Sequence, residues 1–330
     1  MSGGPSVLVV GGAGYVGGQT CKALAAAGLA PVVYDDLSNG HDWAVRWGPL
    51  EQGDLRDEAR LVAVIERHRP VAVVHFAALI EAGISVGDPA PFYDINIAGS
   101  LALLNAMRRT GLDRLVFSST AAVYGEPVQV PIPESHPLAP VNPYGRTKLA
   151  VEWMLGDFAR AYGIGWVALR YFNAAGADPD GEIGEAHDPE THLIPLALAA
   201  AAGRRPELAV FGSDYPTPDG TCVRDYVHVA DLAAAHVLAL AHLDRGGASG
   251  AYNLGNGAGF SVAQVIEAAG RVVGRPVPFR LAPRRPGDPP RLVGDSTRAR
   301  AELGWRPARP DLDVMIEDAW RWYHTGEPMN

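Results

Sequence analysis

The first strongly apolar run of the chain, Val7-Leu8-Val9-Val10, contains no polar position. A strand with one wet face alternates, so an unbroken run is what a strand buried on both faces presents. Residues 16–27 change to helical spacing and stop at Gly28, and Pro31-Val32-Val33-Tyr34-Asp35 then reads as a second strand ending in an acid. The alternation continues: the pattern predicts helices over 57–69, 89–109 and 143–162, and strands over 71–76, 114–118 and 166–171. Apolar strands separated by helices imply an α/β fold with a doubly wound parallel Rossmann sheet.

Beyond Phe172 the pattern loosens. Pro- and Gly-rich stretches at 174–189 and 213–221 separate helical segments at about 193–203, 231–244, 262–273 and 312–323. We expect a smaller, mixed C-terminal cap over the sheet edge. The division is a Rossmann domain over 1–172, rejoined by about 222–245, and a cap within 173–330.

Composition narrows the function classes. At 330 residues and 48% hydrophobic, the chain can bury a substantial core. Its net charge of −9 disfavours broad nucleic-acid binding, so that any anionic partner is expected to be small. No apolar run reaches the roughly 18 residues of a membrane span, so no membrane partner is expected. The opening Met-Ser-Gly-Gly-Pro-Ser has no charged region leading into an apolar stretch, and the expected compartment is the cytoplasm. Cys21 and Cys222 offer neither a disulfide framework nor metal-ligand spacing; both are expected reduced, with no metal.

Two motifs carry chemistry. Gly11-Gly12-Ala13-Gly14-Tyr15-Val16-Gly17 lies between the first strand and its helix, where glycines let the backbone approach a pyrophosphate at the helix N-terminus. Asp35 follows about 20 residues later, suited to the two hydroxyls of an adenosine ribose. A 2′-phosphate there would meet a carboxylate, so NAD is expected rather than NADP. Of the 28 basic side chains only Lys22 and Lys148 are lysines, and Lys148 stands four residues after Tyr144. On a helix these positions share a face, so the spacing predicts an ammonium beside a phenol, favouring the ionised form of a tyrosine base.

These motifs, with Gly53-Asp54-Leu55-Arg56, His75-Phe76-Ala77-Ala78, Ser118-Ser119-Thr120-Ala121-Ala122-Val123-Tyr124-Gly125, Arg170-Tyr171-Phe172-Asn173 and Val223-Arg224-Asp225-Tyr226, resemble the extended short-chain dehydrogenase/reductases. Within that group the likeness is to UDP-glucose (UDP-galactose) 4-epimerases. The resemblance implies bound NAD, a UDP-sugar substrate held by the cap, C4 epimerisation through a transient 4-keto sugar, and a homodimer. It gives Tyr144 the role of base, Lys148 that of ribose holder and pKa modulator, and Thr120 a hydroxyl on the reacting oxygen, with Ser119 as fallback. It assigns the cofactor to Gly11, Gly14, Tyr15, Val16, Asp35, Asn39, Asp54, Leu55, Phe76, Ala77, Asn96, Tyr144, Lys148 and Tyr171. The substrate falls to Thr120, Tyr144, Asn173, Leu193, Phe211, Arg224, Tyr226, Arg285, Asp288 and Leu292.

Three positions depart from the best-known bacterial pattern. Ile80 stands where a cofactor-holding lysine is frequent, His192 where Asn is, and Leu292 where a Tyr narrows the space at the sugar C2 group. Leu292 therefore carries the expectation that an N-acetylated hexose is also accepted, and other UDP-sugars remain alternatives. A nucleotide-sugar 4,6-dehydratase would need an Asp-Glu pair after Thr120, where Ala121 and Ala122 stand and neither can move a proton. A silent NAD-sensing relative would have lost the Tyr/Lys pair.

Overall fold

The computed structural model describes residues 4–285 and 288–325. Its centre is a seven-stranded sheet formed by β1 (Ser6–Val10), β2 (Ala30–Asp35), β3 (Leu50–Gln52), β4 (Ala72–His75), β5 (Arg114–Thr120), β6 (Gly165–Tyr171) and an edge strand, Gly250–Leu254. From one edge the order is Gly250–Leu254, β6, β5, β4, β1, β2, β3, with every neighbouring pair parallel. Connections run outward in both directions from β1 and β4. That reversal opens a crevice at the carboxyl ends of these two strands, where ligands of doubly wound sheets bind.

The apolar run of β1 has a simple explanation. Val7 and Val9 face one core layer, with Leu24, Leu232, Ala235 and Leu240 from helices Tyr15–Ala26 and Val229–Asp244. Leu8 and Val10 face the other, with Leu61, Val64, Leu103, Met107, Val151 and Leu155 from the helices on the opposite side. Leu8 is fully buried, and truncating such a side chain to Ala costs about 2–5 kcal/mol.

Helices Tyr15–Ala26, Glu58–His68, Pro143–Tyr162 and Val262–Val273 fall where the pattern puts them, within a residue or two. The segment expected as one helix over 89–109 is interrupted by a wider π-type turn, Tyr93–Gly99, a local form associated with functional sites. This turn carries Asn96. The last sheet strand, Gly250–Leu254, lies beyond the stretch expected to rejoin the sheet.

In the second half, short strands pair in threes and twos. Asn173–Ala175 runs beside Tyr226–His228, Leu208–Phe211 beside Phe279–Ala282, and Val223–Arg224 between Phe260–Ser261 and Arg291–Leu292. A third apolar cluster, including Ile194, Leu198, Val265, Met315 and Ile316, holds this mixed layer together.

Candidate active site

A cleft of about 330 Å³ opens at the carboxyl ends of the central strands. Its floor begins at Gly11, whose φ of +84° is strained for any other residue, and where an added Cβ would lie 2.5 Å from the Ala77 nitrogen. The close approach of the two loops therefore needs glycine. Helix Tyr15–Ala26 starts after Gly14 with no side-chain cap and no acid in its first turn. Gly14, Tyr15, Val16 and Gly17 line the cleft, so an uncapped helix start, with its partial positive charge, faces the space where an anion would sit.

Asp35 closes the adjoining end. Its Oδ2 accepts from Ala13 N and its Oδ1 from Leu37 N, each at 3.0 Å. Burial pushes its carboxyl up, and the two backbone N–H groups pull against that shift. Asn39, Asp54, Leu55, Phe76 and Ala77 complete this side of the lining. An uncapped helix start, a glycine passage and a buried acid at the end of β2 fit a dinucleotide.

Thr120, Tyr144, Lys148, Tyr171 and Asn173 meet in the same cleft. Asn142 begins their helix by accepting from Gly145 N at 2.8 Å, with Pro143 in the first turn. The loss of this cap typically costs about 1 kcal/mol. Tyr144 N is bound to the buried Ser85 hydroxyl at 3.2 Å. Lys148 Nζ donates to the Ser118 carbonyl at 2.9 Å and lies 4.9 Å from the Phe117 ring centre.

Burial lowers the Lys148 ammonium to about 7. Burial raises the Tyr144 phenol to about 12, although a hydrogen bond with Thr120 acts to lower it. The expected ionisation of the phenol by its lysine neighbour is therefore corrected for these residues alone. The ammonium points to a strand carbonyl, and desolvation outweighs the favourable bond.

Asn96 is absent from the lining. It is 1% exposed and works behind the wall: Oδ1 accepts from Leu79 N at 2.8 Å, while Nδ2 donates to Leu79 O and Thr147 Oγ1 at 3.0 Å each. It fastens the loop after β4 to the helix of Tyr144. Ser119 is likewise engaged elsewhere, donating at 2.5 Å to Glu152 Oε1. Strand alternation turns Thr120 to the cleft and Ser119 away from it.

The remaining nominated substrate residues lie outside the lining of this cleft. Arg224 pairs with Asp288, and Arg285 stacks its guanidinium 4.1 Å over the Phe211 ring. Arg285 and Asp288 border a separate open depression with Pro127 and Pro289. Tyr226 is buried in register with Asn173. Leu193 opens its helix against the third apolar cluster. Leu292 and Phe172 both pack against the cluster of Ala121, Val123 and Leu149; Phe172 lines the cleft and Leu292 does not.

Two arrangements escaped the sequence reading. Arg170 meets Glu152 through Nε at 2.9 Å and Nη2 at 2.5 Å, and donates from Nη1 to Tyr124 at 2.9 Å. Tyr124 in turn donates to Asn253 at 2.6 Å. This buried network ties the ends of β5, β6 and the edge strand to the helix of Tyr144. The second is a group formed by Glu185, His187, Glu190 and His192. Burial would lower both histidines, but their carboxylate bonds prevail, raising His187 to about 9 and His192 to about 10.

The parallel sheet, glycine passage, terminal acid and Tyr/Lys helix define a dinucleotide-dependent α/β enzyme of the short-chain dehydrogenase/reductase type. The chain belongs to the NAD dependent epimerase/dehydratase family, whose model matches residues 7–255. It is 56% identical over 318 residues to the UDP-glucose 4-epimerase of Rhizobium meliloti (strain 1021), covering 96% of this chain and 97% of that protein. Among solved structures it is similar to the UDP-glucose 4-epimerase of Brucella ovis in complex with NAD, with TM-score 0.94 and 55% identity over 96% of this chain and 97% of the other. It is also similar to the enzyme of Stenotrophomonas maltophila with bound NAD and formylated UDP-arabinopyranose, with TM-score 0.93 and 44% identity over 96% and 97% of the two chains.

Proposed function

We propose that this protein is an isomerase that interconverts UDP-glucose and UDP-galactose at C4 with tightly held NAD. The observation that carries the reading is the convergence of Thr120, Tyr144 and Lys148 in one cleft with the uncapped helix start and Asp35. A stereocentre bearing hydrogen and hydroxyl inverts only if the carbon becomes planar and is rebuilt from its other face. NAD supplies the hydride acceptor and donor for this oxidation and reduction, together with a positive charge beside the reacting groups.

The chain's own residues do the rest. Asp35 takes the adenosine ribose, and the start of helix Tyr15–Ala26 takes the pyrophosphate. Lys148, already anchored on Ser118 O at 2.9 Å, offers its remaining N–H donors to the nicotinamide ribose. Tyr144 moves the proton of the sugar 4-oxygen, and Thr120, hydrogen-bonded to Tyr144, orients that oxygen. Residues 1–172, with the returning helix and edge strand, form the dinucleotide domain, and the rest of 173–330 forms the cap that grips UDP. Holding UDP firmly and the hexose loosely lets a 4-keto sugar turn over without escaping.

The homodimer that the family resemblance implies is part of the proposal; Leu101 in helix Ser100–Thr110 and Trp153 in helix Pro143–Tyr162, 41% and 63% exposed, are apolar side chains that a second copy would cover. We place the enzyme in the cytoplasm, where buried free thiols such as Cys21 and Cys222 stay reduced. Among the described residues no helix is long and apolar enough to cross a membrane. Acceptance of N-acetylated hexoses is part of the proposal, acting through Leu292 and the cleft-lining Phe172, which pack against the same apolar cluster.

Purified protein incubated with UDP-galactose, UDP-N-acetylgalactosamine or UDP-xylose, without added cofactor, tests the reading by NMR of the products. Conversion of UDP-galactose to UDP-glucose is expected. A dehydrated product, or none after NAD is supplied, overturns it.

A further inference from the structure

Glu185, His187, Glu190 and His192 each present a ligand atom to a common point, all of them within 4.8 Å of one another. His192 Nδ1 lies 2.7 Å from Glu185 Oε1 and 3.1 Å from Glu190 Oε1. His187 Nδ1 lies 3.1 Å from the same Glu185 oxygen and 3.8 Å from Glu190 Oε2. Both imidazoles thus turn the same ring nitrogen toward the same two carboxylates. Four N and O ligands at about 2.1 Å from a tetrahedral zinc ion stand about 3.4 Å apart, and the four measured spacings fall on both sides of that distance.

The surrounding chain holds the group in place. Glu190 Oε1 also accepts from Thr191 N and His192 N, at 2.7 Å each. His41 bonds Ala186 O at 2.7 Å, and Trp322 donates to Glu185 O at 3.1 Å. The Tyr15 ring meets His187 edge-on, and its hydroxyl donates to Gly176 O at 2.5 Å. Glu185, His187 and His192 line the same cleft as Tyr144.

We propose that these four side chains form a closed site for a zinc-class divalent ion, which pins the segment 176–192 across the cleft. Two imidazoles with two carboxylates match that ion, which takes the place of the Nδ1 protons now shared with Glu185 and Glu190 and releases them to solvent on binding, whereas Mg²⁺ and Ca²⁺ favour all-oxygen sets. Two carboxylates also balance its charge. This inference goes beyond the proposed activity and stands apart from the identity of the sugar.

The test uses the untagged full chain, dialysed against EDTA and then titrated with ZnCl₂ alone by calorimetry and thermal unfolding. One ion per chain, a Kd below about 1 µM and a raised Tm that MgCl₂ does not reproduce are expected. CoCl₂ should give the intense visible band of tetrahedral coordination. In the doubly substituted His187→Gln, His192→Gln chain the zinc response and this band should both vanish. Lack of zinc binding at about 100 times that concentration, an undiminished response in the double variant, or an octahedral cobalt spectrum in the wild-type chain would overturn the site. The cobalt spectrum decides the matter even if the double variant does not fold. Activity on UDP-galactose is measured separately, so a failed metal site and a failed epimerase reading give different results.

Discussion

Lys148 donates from Nζ to the carbonyl of Ser118 at 2.9 Å, joining the Tyr144 helix to the end of β5 across 30 residues of sequence. The bond fixes the helix register at the point where Thr120 must face Tyr144. It also leaves an ammonium 2% exposed, with no carboxylate among the causes of its pKa shift.

The fold is therefore expected to lose stability as pH falls toward neutrality because of this one group. Its pKa drops from 10.5 to about 7 on folding. Between those values the unfolded chain binds the proton and the folded chain does not, so unfolding free energy rises with pH across the window. Below it, both states are charged and the folded state bears the full cost of burying the ammonium. Urea unfolding of wild type and Lys148→Met from pH 6 to 10 checks this: the stability advantage of the Met variant should shrink as pH rises. A constant difference would show that Lys148 does not titrate in that window.

Tyr144→Phe should lower turnover of UDP-galactose at least about 100-fold, the usual minimum for removing a general base. Only a buried hydroxyl bonded to Thr120 is lost, so Tm and UDP affinity should stay close to wild type. Retention of a tenth of the activity would remove Tyr144 from the proton-transfer role.

The central sheet is legible because β1, β2, β4, β5 and β6 carry apolar runs, which only burial on both faces explains. Gly250–Leu254 is not, since Tyr252 and Asn253 interrupt it. Asn253 is tolerated at the core because Tyr124 donates to it and it donates to Ile132 O at 2.8 Å, partners more than a hundred residues away. In the site, the glycine passage, Asp35 and the Tyr/Lys pair are local signals. The direction of Lys148 and the division of labour between Ser119 and Thr120 depend on which neighbour each side chain meets. Glu185, His187, Glu190 and His192 escaped the sequence reading because only the loop's fold brings the four side chains together.

Glu152→Gln should destabilise the protein by about 3 kcal/mol, because it leaves the Arg170 guanidinium buried without a counter-charge. Both side chains are only 5% exposed, and Glu152 Oε1 is shared with Ser119 at 2.5 Å. Denaturant unfolding at neutral pH measures the change. A loss below about 1 kcal/mol, the level of an exposed pair, would mean that water enters the network.

Asp35 should make the protein prefer NAD to NADP by at least about tenfold, or 1.4 kcal/mol. Its two oxygens already accept one backbone N–H each at 3.0 Å, and each keeps lone-pair capacity for a ribose hydroxyl. A 2′-phosphate has no proton to donate in return and meets a negative charge in a setting where burial weakens screening. Asp35→Asn removes that charge while retaining one acceptor oxygen, so the gap between the two dinucleotides should narrow mainly through weaker NAD binding. Asp35→Ala should narrow it further and also lower Tm, since Ala13 N and Leu37 N both lose their partner at a cost of about 1–3 kcal/mol for a buried donor. Calorimetry with both dinucleotides on nucleotide-stripped wild type and the two variants measures all three gaps. Equal affinities in the wild-type chain would remove Asp35 from cofactor selection and reduce it to a brace for the glycine loop.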